Sequence, residues 1–230
     1  MESSALLLFV LLPLASADTG GLSDKALFFP KATDSSYVTL TPLKPLSLDA
    51  FTLCMRLSVD PEVVNQQQRE TILFAYRTES HDELNVWQEK GRISFCLRSS
   101  SDCAAYSIPM LSVFPTTLCL TWESHTGLAA FWVDGRRSTL QVYRKGHRVQ
   151  SGGKVILGQD PDSFLGQFNE NQSFVGEISD VNMWDSVLTG KQIRHLSEKQ
   201  SMELTANVLN WSSMQFNIVG NVIVVPEKYF

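Results

Sequence analysis

The segment Gly158-Gln159-Asp160-Pro161-Asp162-Ser163-Phe164-Leu165-Gly166-Gln167-Phe168-Asn169-Glu170-Asn171-Gln172 holds the residues best suited to chemistry. Two Asp, one Glu, two Asn and three Gln crowd into one loop after an apolar run ending at Leu157. Calcium and other hard cations take about six to eight oxygen ligands from carboxylates, amides and backbone carbonyls, and this loop offers all three kinds. Asp160 and Asp162 flank Pro161. In an extended backbone their side chains point to the same side, and the Pro161 carbonyl can add a third oxygen. The segment does not fit the EF-hand register, which needs more acids at fixed offsets and a Glu at the end. Taken alone, an Asp-x-Asp triplet also suits an acidic loop in solvent.

Catalytic patterns are missing. The sequence has no GxSxG or HExxH, and no strand carries the paired carboxylates of a glycoside hydrolase. Glu177 and Asp180 are three apart, which predicts opposite sides of a strand. Zinc is disfavoured, since no CxxC occurs and the four His are scattered. A non-enzymatic binding protein is expected.

The elements that must position the loop read as strands nearly throughout. Tyr37 to Thr41, Phe51 to Leu57, Thr71 to Tyr76, Arg92 to Leu97 and Leu118 to Trp122 are short runs rich in β-branched and aromatic residues. Leu128 to Val133 precedes Asp134-Gly135, a dipeptide favoured in two-residue hairpin turns. Lys154 to Leu157, Phe174 to Trp184, Val208 to Trp211 and Asn221 to Val225 continue the series. So many strands predict an all-β antiparallel sandwich. One α-helix is expected near Thr189–Ser197: Thr189 caps it, Ile193 and Leu196 form its apolar face, and Lys199 lies near its end. No linker or internal repeat divides the chain.

The whole chain of 230 residues carries a formal net charge of −5. That excludes a broad basic face and, with it, nucleic acid as a partner. Ala5 to Leu14 is an apolar run too short to span a bilayer. Ala15-Ser16-Ala17 has the form of a signal-peptidase site, although the n-region lacks Lys and Arg and carries Glu2. The expectation is a signal peptide over 1–17, a secreted domain over 18–230 and no transmembrane anchor. Four cysteines in an oxidising compartment imply two disulfides, and four allow three pairings. Cys96 and Cys103 flank a polar segment that can turn, so they could face each other across a hairpin. That would leave Cys54 with Cys119.

Several of these segments together resemble the short pentraxin family over essentially the whole of 18–230. Leu118-Cys119-Leu120-Thr121-Trp122-Glu123-Ser124 is close to the family signature, with Thr117 where the signature has a leading His. Ala130-Phe131-Trp132-Val133-Asp134-Gly135 is similar to the strand and turn that follow it. Leu157 to Gln172 resembles the family's calcium loop. Ser173 to Asp185 and Val208-Leu209-Asn210-Trp211 resemble its last strands.

The resemblance implies a flattened, lectin-like jelly-roll sandwich, a Cys54–Cys119 bridge and one or two Ca2+ ions on one face. It implies calcium-dependent binding of phosphate monoesters or other anionic ligands on microbes or damaged cells, in innate immunity and the acute-phase response. A cyclic homopentamer is implied, with complement and Fc receptors as partners of the opposite face. Carried over by position, the shared carboxylates fall on Asp160 and Asp162, with the Pro161 carbonyl between them. Gln172 matches the loop-end ligand. The second ion's own acid falls on Asn169, a neutral amide, with Glu170 beside it. An Asp-Asn pair from an earlier loop falls on His81 and Asp82, of which His81 suits calcium poorly. The resemblance thus implies one fair and one weaker ion position.

An aromatic that packs on choline methyls falls on Trp87, whose face can hold a quaternary ammonium or simply pack in the core. An acid facing the choline nitrogen has no clear counterpart, Ser101 or Asp102 being nearest, and Cys96 falls on the pocket rim. Asn171-Gln172-Ser173 is a glycosylation sequon at the loop, whereas Asn210-Trp211-Ser212 sits beside a Trp expected to be buried. The alternative function is an adhesion or scaffold protein on this fold that has lost calcium-dependent binding.

Overall fold

A computed structural model of the chain describes residues 20–65, 69–98, 101–198 and 204–226. The expected signal peptide over 1–17 and the expected helix end at Lys199 lie outside the described residues. The strands are β1 Lys25–Phe29, β2 Tyr37–Leu40, β3 Ala50–Val59, β4 Thr71–Arg77, β5 Asp82–Glu89, β6 Arg92–Cys96, β7 Ala104–Tyr106 and β8 Thr116–Glu123. They continue as β9 Leu128–Val133, β10 Arg136–Arg137, β11 Gln141–Val142, β12 Lys154–Leu157, β13 Gly176–Trp184, β14 Phe216–Val219 and β15 Ile223–Pro226. Two helices, α1 Pro61–Asn65 and α2 Gly190–Ser197, interrupt them.

Two antiparallel sheets form the sandwich. One runs β10-β9-β8-β3-β13-β1-β15, with β11 also on β9. The other runs β14-β2-β12-β4-β5-β6-β7. The period-two pattern of β3 shows why the sheets stack: Phe51, Leu53, Met55, Leu57 and Val59 all join the shared core. Phe95, Tyr106 and Phe131 meet edge to face there at 5.1–5.9 Å. Each such ring contributes about 1.5–3 kcal/mol by leaving water.

The outward positions of β3 and β8 hold Cys54 and Cys119, which pair directly and form a disulfide. The second disulfide joins Cys96 to Cys103 across the β6–β7 turn. Helix α2 covers the first bridge. Thr189 and Gln192 make a capping box, and Ile193 is buried with Leu188 and Trp184 against the two cysteines.

The hairpin at Asp134-Gly135 forms as the dipeptide predicts. Both residues have positive φ, 46° and 74°, and Val133 pairs with Arg136. Several expectations change, and β1, β7 and β14 form where no strand was expected. Val208 to Trp211 is not a strand but a bridge from Leu209 to Met183 running into a turn. Strand β5 forms where no strand was expected, because Glu83, Asn85 and Gln88 are buried polar residues that mask its apolar pattern. Gln88 is satisfied by accepting the Leu111 amide at 2.9 Å.

Gly158 turns the chain out of β12 with φ 92°, and a Cβ there would sit 2.2 Å from Phe29 Cε1. Gly158→Ala is expected to lower stability by about 3 kcal/mol through strain and overpacking. Urea unfolding of the variant beside the parent chain checks this. An unchanged midpoint would show that Phe29 yields freely.

Candidate functional site

The outer face of the seven-stranded sheet carries the site. Ile72 and Ala75 from β4 and Ile156 from β12 form a small apolar layer there. Tyr37, Trp87, Leu165 and Phe168 pack on that layer, and the Tyr37 and Phe168 rings meet at 5.0 Å. Leu165 and Phe168 are the anchors that fold the Gly158–Gln172 loop down onto the sheet. The Phe174 amide donates to the Gly158 carbonyl at 3.0 Å and closes the loop's base. Ser163 and Gly166 exchange backbone hydrogen bonds at its tip.

The loop's far limb is held from outside. Arg69 donates to the carbonyls of Glu170, Asn171 and Ser173 at 2.7–3.0 Å, and the Ile72 amide donates to the Gln172 carbonyl at 2.9 Å. Burial lowers the Arg69 pKa, opposed by the nearby Glu170 charge. Gln159, fully buried, ties the near limb to the Thr33 and Ser36 carbonyls through its Nε2.

Asp160 stands at the centre. Its Oδ1 accepts from Asn85 Nδ2 at 2.9 Å. Burial pushes its carboxyl up to about 7, helped by the charges of Asp82, Glu70 and Asp162 and opposed by Arg77. Asp82 and Asn85 are three apart on β5 yet both act on Asp160. The register explains this: Tyr76 pairs with Leu84 but Arg77 pairs with Asp82, so one extra residue at Glu83 flips the side-chain alternation. Asp82 forms an ion pair with Arg77, while Glu83 turns inward and accepts the Gln150 amide at 3.0 Å.

The remaining sequence-derived positions divide. Asp162 is exposed and Pro161 is buried. Gln172 Nε2 donates to Glu70 Oε2 at 3.2 Å. Asn169 Oδ1 accepts the Asn171 amide at 3.0 Å and so folds back on its own loop. His81 is exposed in the turn between β4 and β5, where its backbone bonds to Thr78. Trp87 lies half-buried in the apolar layer, with its Nε1 lacking a partner. Cys96 pairs across the strands with Asn85, which puts the Cys96–Cys103 bridge on the same face. Asn171 is exposed, whereas Asn210 Oδ1 accepts from Ser212 beside the buried Trp211.

Four participants escaped the sequence reading: Arg69, Glu70, Arg77 and Asn85. A period-two reading of β5 would have put Asn85 beside Trp87; nothing in the sequence points to Glu70 or Arg77. Among the described residues, no three His, Cys, Asp or Glu side chains gather closely enough to enclose a metal by themselves. A hard cation here would also draw on amide and carbonyl oxygens. The buried Asn85 Oδ1, which has no hydrogen-bond partner, fits that demand.

On the opposite face, β1, β3 and β13 line a groove of about 460 Å3. Glu177 and Asp180 both line it, against the expectation of opposite sides. The register of β13 on β3 shifts between Ser179 and Asn182, and Asp180 takes φ 53°, so a bulge turns Asp180 to the side of Glu177.

The raised Asp160 pKa has a testable sign. A carboxyl that binds its proton more tightly in the folded chain stabilises the fold below its unfolded pKa, and this is lost as pH rises through the folded value. In chelator, the parent chain should therefore lose melting temperature relative to Asp160→Asn between about pH 4 and about pH 7. Thermal unfolding of both across that range checks it. Parallel curves would show that Asp160 is solvated.

Comparison with known proteins identifies the family of the chain. The Pentaxin family model matches residues 25–226. The chain is 52% identical over 208 residues to C-reactive protein of Danio rerio, covering 90% of this chain and 91% of that one. It is 34% identical over 210 residues to C-reactive protein of Homo sapiens, covering 90% of each. In fold it is similar to the native heptameric SAP-like pentraxin from Limulus polyphemus, with TM-score 0.76 and 22% identity over 89% of this chain and 96% of that one. The family match and the two C-reactive protein relatives agree, and the chain belongs to the pentraxin family.

Proposed function

We propose that this chain is a secreted, calcium-dependent recognition protein for phosphate-bearing or other anionic ligands, acting without catalysis. The observation that carries the reading is the convergence on half-buried Asp160 of charge from Asp82, Glu70 and Asp162. A fold does not gather like charges around a buried carboxylate without cost unless a cation offsets it. The carboxylate, amide and carbonyl oxygens around Asp160 are hard ligands, which suits calcium.

Asp82, Asp160, the Pro161 carbonyl and Asp162 would hold a first ion. Asp160, Asp162 and Gln172 would share in a second, beside Asn169 and Glu170. Calcium, when bound, supplies a positive centre with coordination positions open to ligand oxygens. The chain's part is to hold those oxygens: Asn85 fixes one Asp160 oxygen, and Arg69 keeps the loop limb against the sheet. His81 stays outside this set. A ring of subunits would convert weak single-site binding into avidity, with complement or Fc receptors meeting the other face. The two disulfides agree with an oxidising compartment. Among the described residues, no helix is long and apolar enough to cross a membrane.

A second reading has its own observation. Arg77 already pairs with Asp82, so a guanidinium neutralises part of the first position. That arrangement favours a pentraxin-fold scaffold that binds its ligand without calcium.

Two measurements separate the readings. Calorimetric titration with calcium should show binding in the range of about 0.1–1 mM or tighter, typical of extracellular modules. Asp162→Ala should weaken it about tenfold or more. A phosphate-ester resin should retain the protein with calcium and release it in chelator. Absence of heat up to 10-fold above about 1 mM calcium, with retention that ignores chelator, would favour the scaffold.

A further inference from the structure

We propose that Glu70 is the carboxylate of the second calcium position, taking the part that Asn169 cannot play. The inference rests on the calcium reading above and concerns one residue of it. Asn169 brings no charge, and its Oδ1 is engaged by the Asn171 amide. Glu170 does not replace it: Arg69, which grips the Glu170 carbonyl at 2.7 Å, also feels the Glu170 charge. Arg69 bonds to the Glu170 carbonyl, and the exposed Glu170 side chain makes no such attachment to the loop's inner face.

Glu70 lies on the chain between Arg69 and Ile72, both of which bond to the 170–173 segment. That double attachment brings the Glu70 carboxylate to Gln172, with Oε2 at 3.2 Å from Nε2. Gln172 is itself a position the resemblance assigns to the second ion. The Glu70 charge also reaches Asp160, which both ions would share. Glu70, Gln172 and Asp160 are therefore neighbours, drawn from a strand edge, the end of the loop and its start.

An independent observation points to a missing ligand at this place. Asn85 is only 7% exposed, its Nδ2 is on Asp160, and its Oδ1 has no partner. A water or a cation can satisfy that buried carbonyl oxygen, and of the two only a cation also offsets the charge on Asp160 and its neighbours. With Glu70 counted, the second position regains the charge that Asn169 lacks, and affinity follows ligand charge.

The test counts calcium ions on protein purified from cells expressing the full chain, by native mass spectrometry and calorimetry. The parent, Glu70→Gln, and Glu70→Gln combined with Asn169→Glu are compared, each first shown by melting in chelator to be folded. The expected result is two ions on the parent, loss or about tenfold weakening of one in Glu70→Gln, and two again in the double variant. Two ions of unchanged affinity in Glu70→Gln would overturn the inference. So would a single ion on the parent, or loss of both ions in Glu70→Gln, while leaving the calcium reading intact. No ion on the parent would sink the calcium reading itself.

Discussion

The register of β12 is the constraint on which the site depends. Lys154, Val155 and Ile156 pair with Arg77, Tyr76 and Ala75 of β4, and Val155 to Leu157 pair with Leu40 to Val38 of β2. This sends Val155 and Leu157 to the core and Ile156 to the outer layer. It also ends the strand at Gly158, directly where the loop must rise over β4 and β5. A slip of one residue would exchange the two faces. Ile156 would leave the layer that seats Leu165 and Phe168, and Asp160 would lose Asn85. The apolar layer is small, but it converts a strand register into the position of a carboxylate.

The polar part of the site is under tension. Burial and three neighbouring acids oppose ionisation of Asp160, while Arg77 and the Asn85 amide favour it. Bulges in β5 and β13 solve one geometric problem in different places. In β5 an extra residue lets Asp82 and Asn85 face the loop and turns Glu83 into the interior. In β13 an extra residue turns Asp180 out beside Glu177. In both, alternation is broken where polar side chains are needed on one face.

Much of this was legible in the sequence, for definite reasons. Strand β3 reads clearly because its inward and outward residues differ sharply. Asp134-Gly135 reads clearly because few dipeptides accept two left-handed residues. Asp160 and Asp162 stand out because they open a dense run of oxygen-bearing side chains directly after an apolar strand. Strand β5 was hidden, since buried Glu83, Asn85 and Gln88 look like loop residues until their partners are seen. Glu70 and Arg77 were hidden for another reason. Each lies on or beside a strand some eighty residues or more before the loop it meets, and only the sheet order brings them there. The Glu177–Asp180 spacing misled because a bulge cannot be read from spacing alone.

The two disulfides differ in how far along the chain their partners lie. Cys96 and Cys103 are separated by 7 residues and sit at the mouth of one hairpin. Cys54 and Cys119 are separated by 65 and meet only once β3 and β8 are side by side. Loop-closure entropy alone makes the first encounter about thirtyfold more frequent than the second. Oxidation of a newly made chain therefore runs in order. Once the local pair has closed, the two remaining thiols have only each other. Helix α2 then lies over the Cys54–Cys119 bridge and shuts out attacking thiols. The spacing of four cysteines thus acts as an assembly instruction as well as a set of cross-links.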